Sequence, residues 1–248
     1  INRVILCSDG VANVGETGPE AILEEVRHYV EENVTLTAVG FGMDNYNDVL
    51  MEQLADNGDG FYAYVDDLRE ARRLFLDQIT GTLQTIAMDA KVQVDFNPEV
   101  VMRYRLVGFE NRAIADDQFR DNTVDAGEIG AGHSITALYE VKLFPEAFGN
   151  IATVFMRWQD PDTRQVVELS QDFSTGDLAY EFEAADPYFQ RSVIVAEYAE
   201  ILKKSYWAEE SSLAHVYHEA IRVSEILPWD EDMSEFMELI RRASQLTD

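Results

Sequence analysis

The opening third of the chain changes its hydrophobic period in a fixed order, and this alternation restricts the fold more than any other feature. Val4, Ile5, Leu6 and Cys7 form an unbroken apolar run of the kind parallel strands show when both faces are covered. Thr17-Gly18-Pro19-Glu20 then supplies a cap, a proline suited to the first helical position and an acid in the first turn. Ile22, Val26, Tyr29 and Val30 recur at helical spacing, which predicts one buried stripe ending at Asn33. Val34 to Phe41 reads as a second strand, broken by the glycines of Gly40-Phe41-Gly42. Asn47 can cap a short helix carrying Val49, Leu50 and Leu54, and Asn57-Gly58-Asp59-Gly60 turns the chain into a third strand, Phe61 to Val65. Asp66 or Asp67 caps a last helix with Leu68, Ala71, Phe75, Ile79 and Leu83 at helical intervals. Strand and helix alternating three times, with crossovers of this length, predicts parallel strands in a layered α/β sheet.

In such sheets ligands bind beyond the carboxyl ends of the strands. Those ends carry Ser8, Asp9, Gly10 and Asn13 after strand one, Asp44, Asn45 and Asn47 after strand two, and Asp66 after strand three. All but the glycine offer side-chain oxygens.

The pattern then changes. Lys91 to Phe96, Val100 to Phe109, Ser134 to Leu143, Ile151 to Trp158 and Gln165 to Phe173 are strand-like runs rich in β-branched and aromatic residues. Their spacing predicts an antiparallel, sandwich-like layer separate from the α/β part. Helical periodicity returns at Pro187 to Trp207, Ser211 to Leu227 and Asp230 to Leu246, with Pro228-Trp229 splitting the last two. The expected domains are therefore 1–88 (α/β), 89–182 (β-sandwich-like) and 183–248 (helical).

Charge narrows the partners. Lys plus Arg total 19 against 47 Asp plus Glu, a formal charge of −28 that repels phosphate backbones and anionic lipid alike. Nucleic acid is not an expected partner, and no apolar run approaches the ~20 residues needed to cross a bilayer. The lone Cys7 excludes an intrachain disulfide, and its place in an apolar run predicts a small core residue.

Several motifs are weaker than they look. Gly127, Gly130 and Gly132 reverse the spacing of a phosphate-binding loop. His215 and His218, followed by Glu219, lack the His-Glu-x-x-His pattern and any partner cysteine, so they read as surface or packing residues. The serines lack a glycine-flanked elbow, and carboxylates are too numerous for one pair to stand out as acid and base. No catalytic constellation emerges, and the chain is not expected to be an enzyme.

"VILCSDGVANVG", "VTLTAVGFG", "LMEQLADNGDGFYAYVDD" and "EARRLF", in this order, resemble the C-terminal half of a von Willebrand factor type A domain. "YRLVGFENR" at 104 to 112 and "DAGEIGAGHSITALYEV" at 125 to 141 resemble a bacterial family in which that domain precedes a C-terminal region of unknown function. The resemblance implies a Rossmann-like sheet in which the three strands are the fourth, fifth and sixth. It also implies a divalent cation, Mg²⁺ or else Mn²⁺ or Ca²⁺, held by an Asp-x-Ser-x-Ser loop, a separate Thr and the Asp of a strand-terminal Asp-Gly.

Only Asp9 matches that cation set. Asp172-Phe173-Ser174-Thr175-Gly176 lacks the second serine, stands in the wrong chain order and reads as a turn. The expectation is that the sequence starts midway through the type A domain. The edge of Val4 to Cys7 would then be open to an absent strand, to a rearranged element or to self-association. By this resemblance the chain belongs to a cation-assisted protein-binding, adhesion or scaffolding module of the bacterial cell envelope (periplasmic or lipid-anchored), or secreted, with the cation expected in the intact domain and this segment expected to be metal-incompetent. Its partner is a protein ligand, and the segment itself inserts in no membrane. Two alternatives stay open, a Mg²⁺-dependent hydrolase of phosphoesters and a metal-free structural scaffold.

Overall fold

The computed structural model describes residues 2–8, 19–32, 34–42, 47–77, 84–108, 114–124 and 126–246. The fold is mixed, with a parallel sheet, antiparallel strand pairs and C-terminal helices in chain order. Two compact units share the chain. One joins Ile1–Asp95, Ile114–Ser134 and Val154–Gln171, the other Phe96–Ala113, Ile135–Thr153 and Asp172–Asp248.

The first unit opens with β1 (Asn2–Ser8), α1 (Pro19–Glu31), β2 (Val34–Phe41), α2 (Asp48–Asp56), β3 (Tyr62–Val65) and α3 (Leu68–Arg72). Its three strands are parallel in the order β1-β2-β3, with Asn2 opposite Val34, Ser8 opposite Gly40 and Phe41 opposite Val65. Central β2 buries Thr37, Ala38 and Val39. On one face Ala38 packs with Leu23 of α1 and Leu50, Met51, Leu54 and Ala55 of α2, and on the other Val39 packs with Val65 and Leu74. The turn into β3 passes so close to β2 that a Cβ on Gly60 would lie 2.0 Å from the Leu36 carbonyl oxygen, so glycine alone fits.

Three expectations need correction here. Cys7 is exposed, as are Val4 and Ile5, because β1 pairs only with β2 among the described residues. Tyr29 is about half exposed, since the buried stripe of α1 centres on Leu23 and Val26 and leaves Tyr29 at its margin. The third helix does not run on as one α-helix. α3 passes into a π-helical turn, Arg73–Asp77, which brings Leu74 into the core while Leu68 is exposed. Ile79 and Leu83 lie outside the described residues.

The middle strands are β4 (Thr85–Phe96), β5 (Val101–Val107), β6 (Ile129–Gly130), β7 (Leu138–Leu143), β8 (Asn150–Gln159) and β9 (Val166–Ser174). They form a four-stranded sheet in the order β6-β4-β8-β9 and a separate β5-β7 pair. β4 begins six residues before the expected Lys91 because its first turns of pattern are inverted, with Thr85 and Ala87 buried and Ile86 exposed. β7 is shorter than expected and omits 134–137. In the first unit, the polar stretch before β6 lies over one face of the sheet. Phe119 is buried beside Phe155, and the buried Lys91 ammonium donates to the carbonyls of Asp121 (2.8 Å) and Val124 (2.5 Å).

The second unit holds the antiparallel β5-β7 pair, with Val101 opposite Leu143 and Val107 opposite Leu138. It ends in α4 (Pro187–Leu202), α5 (Leu213–Ile226) and α6 (Glu231–Leu246). Asp186 caps α4 ahead of Pro187, and Ser212 caps α5. α4 stops short of the expected Trp207 where Lys204 takes a left-handed backbone (φ 55), and Tyr206–Ala208 follow as a 3-10 turn. Ile194, Val216, Ala220, Val223, Met233, Phe236 and Ile240 interlock as the core of this three-helix packing.

Candidate functional site

Parallel pairing brings the carboxyl ends of β1, β2 and β3 to one edge of the sheet, where Ser8, Gly40 and Tyr64 stand in adjacent register. Side chains fasten the segments leaving that edge. The Tyr64 hydroxyl donates to the Gly42 carbonyl at 2.8 Å, and Gly42 itself holds φ 91, a conformation suited to glycine. Asn47 caps α2 by accepting from the Leu50 amide at 3.1 Å. Asp67 caps α3 by accepting from the Glu70 amide at 2.8 Å, and that hydrogen bond holds its carboxyl below the ordinary carboxylate value. Asp66 is exposed beside it.

Asp9, the expected cation ligand, lies outside the described residues, as do Gly10, Asn13, Asp44 and Asn45. Among the described residues no three His, Cys, Asp or Glu side chains come together as a metal would require. Asp67 is occupied as a cap, so the described part of this edge supplies no cradle for an ion. Among the described residues, too, no helix is long and apolar enough to cross a membrane.

The other singled-out residues fall into structural roles. Asp172 sits in β9 and accepts from the Thr153 hydroxyl at 2.6 Å, while the turn proper is Thr175–Asp177, closed by a reciprocal cap between Ser174 and Asp177. His218 is exposed on α5 with Nδ1 3.3 Å from Glu219, and Glu219 also accepts from Arg222. His133 meets the edge of Phe61 in the first unit. Gly130 belongs to β6 rather than to a phosphate loop.

Two polar networks were not visible in the sequence. In the first unit Glu168 accepts from Arg120 and Arg157, and Arg120 in particular holds its carboxyl below the ordinary value. Lys91, Arg157 and Asn122 border a hollow of about 20 Å³, room for one water and no substrate. In the second unit Arg105 of β5 donates to Glu140 of β7 at 2.6 Å and to Glu200 of α4 at 3.3 Å, and stacks 4.8 Å from the Trp207 ring. The hydrogen bond to Glu140 leads the causes that raise the Arg105 guanidinium above its ordinary value. This network ties the β5-β7 pair to α4. The only signal in the sequence was opposite charge at positions that pair across strands, which needs the register to be read.

Residues 81–147 match a protein family described as "Uncharacterized protein YfbK, C-terminal". The chain is similar to that family over these residues. It is 43% identical over 143 residues to the uncharacterized protein YfbK of Escherichia coli (strain K12), an alignment covering 58% of this chain and 25% of that protein. The chain thus matches about a quarter of the length of this curated relative.

Solved structures similar to the chain include the ArnB paralog VWA2 from Sulfolobus acidocaldarius (TM-score 0.44, 16% identity, 96% of this chain and 58% of that one). A von Willebrand factor type A protein from Catenulispora acidiphila (0.48, 12%, 96% and 57%) is another. The human COPII-coat protein Sec24c is a third (0.44, 10%, 89% and 32%).

Proposed function

We propose that the chain is part of a protein-binding or scaffolding module of the bacterial cell envelope or a secreted protein. The carboxyl edge of its parallel sheet is the contact face. The observation that carries this reading is the fastening of that edge. Tyr64, Asn47 and Asp67 each spend a side chain on holding a strand exit or a helix start, and Asp66 stands exposed beside them. Asp9 would help to hold a divalent cation, Mg²⁺ or else Mn²⁺ or Ca²⁺, which when bound would supply positive charge for an acidic group of the partner. The output is binding and not turnover.

Calorimetric titration of the full-length protein with Mg²⁺ and Mn²⁺, alongside its Asp9→Ala variant, tests the cation. Saturable binding that the variant loses supports it. Equal affinity in both removes Asp9, and no uptake by either leaves the metal-free scaffold as the reading. Fractionation of cells carrying the full-length protein tests the location, and recovery in the cytosol overturns an envelope assignment.

The hydrolase alternative requires a second carboxylate beside Asp9. The nearest described strand-terminal carboxylate, Asp66, follows β3, and β2 separates β3 from β1.

A further inference from the structure

A surface of the second unit combines two properties that rarely coincide. Phe148 is 88% exposed and Tyr180 86%, with Leu178, Tyr188 and Phe189 also open to solvent. These residues lie along one anchored course of chain. Gly149 and Thr175 exchange two hydrogen bonds, which sets Phe148 beside the Thr175–Asp177 turn. Further along, the buried Gln190 amide donates to the carbonyls of Glu183 (3.2 Å) and Ala185 (2.7 Å), fixing the segment after Tyr180 against the first turn of α4, where Tyr188 and Phe189 stand. The course is therefore held in place before any partner arrives.

Carboxylates prevail along it, and the nearby Arg222, 5.8 Å from the centre of the Phe182 ring, has its charge met by Glu219. Between Arg164 and Arg191 the sequence has no Lys or Arg, while Asp172, Asp177, Glu181, Glu183 and Asp186 all fall there, and Glu146 precedes Phe148 by two residues. Exposed aromatics set among carboxylates disfavour most occupants. A second copy would bring the same carboxylates face to face, and a phosphate backbone or anionic bilayer is repelled in the same way. What complements the surface is a cation carried on an apolar stem. One such group is already present, because the Arg191 guanidinium lies 5.3 Å from the centre of the Tyr188 ring, with its charge met by Asp230.

We propose that this surface docks a basic, apolar-bearing segment of another protein, with Phe148 and Tyr180 as the anchoring contacts and Glu181 and Glu183 as the charge partners. The site needs no ion and is independent of Asp9.

The test measures binding of three synthetic peptides to the intact chain by fluorescence anisotropy at physiological salt. One alternates Lys with Leu, one Glu with Leu and one Lys with Ser. The Lys-Leu peptide should bind at least about tenfold tighter than either control, the usual scale of a buried anchor. A Phe148→Ser/Tyr180→Ser variant, which keeps the net charge and alters only exposed side chains, should lose about tenfold in that affinity. A Glu181→Gln/Glu183→Gln variant should bind more weakly and with a shallower salt dependence. Unchanged Lys-Leu affinity in the serine variant overturns the proposal, because bulk charge is then the cause. Equal binding of the Glu-Leu peptide overturns it as well, as does a dimer in sedimentation that the serine variant abolishes.

Discussion

The C-terminal helices and the parallel sheet solve the same problem with different completeness. α4, α5 and α6 interlock around Val216, Ala220, Val223 and Ile240, each at 1% exposure or less. The sheet buries the middle of β2 equally well, yet Val4 and Ile5 of β1 are 51% and 40% exposed. The reason lies in the hydrogen bonds. A helix satisfies its backbone internally, so three amphipathic helices close a core among themselves. A strand needs a neighbour on each side, and among the described residues β1 has only β2. Equal hydrophobicity in the sequence therefore yields unequal burial.

The sharpest way to break this comparison is a pair of truncations read by chemical denaturation. Ile240→Ala should cost about 4 kcal/mol, while Ile5→Ala should cost less than about 2 kcal/mol because that residue is already 40% exposed. Similar losses at the two sites would show that β1 is packed in solution as tightly as the helices.

Next in size is Gly60→Ala. The added Cβ meets the backbone of Leu36 and Thr37, which cannot step aside as a flexible side chain would. A loss of about 3 kcal/mol is expected, and a neutral result would mean that the β2-β3 approach is looser than described.

Gln190→Leu probes the helical side of the comparison. Its amide bonds to Glu183 and Ala185 disappear, whereas its buried Oε1, which has no hydrogen-bond partner, no longer has to be accommodated. These effects oppose each other, so a net loss of about 1 kcal/mol is expected, with faster proteolysis of the segment before α4 as the more specific readout.

The smallest effect concerns pH. Hydrogen bonds from Arg241 and then Arg242 lower the exposed Glu238 carboxyl of α6 from 4.5 to about 2. Its folded value lies below its unfolded one, so its contribution is present above pH 4.5 and fades as the pH falls toward 2. Circular dichroism melts of the protein and of Glu238→Gln should differ slightly near neutrality and converge in that acid window. A difference undiminished at pH 2 would exclude the ion pairs as its source.

Much of the architecture was legible in advance for local reasons. Asn47 and Pro187 mark helix starts through chemistry confined to a few neighbouring residues and act where expected, and of the two candidates Asp66 and Asp67 it is Asp67 that caps. Errors arose where a neighbour distant in sequence decides. Thr85 and Ala87 are buried while Ile86 is exposed, a reversal that no propensity reports. For the candidate site, the sheet edge was legible from the alternation of strands and helices. Asp9, the one residue picked out there, lies outside the described part.

By itself the sequence determined the succession of parallel strands, antiparallel strands and helices, the caps that punctuate it and the acidic character of the whole. These depend on periodicity, local hydrogen bonding and charge. Only the tertiary structure decided that Arg105 would join Glu140 and Glu200, that Lys91 would be buried against two carbonyls, and that Phe148 would stand beside the Thr175 turn. Each is a meeting of residues at least 26 positions apart. Strand register and the close packing of separate segments create such meetings, and neither is a local property of the chain.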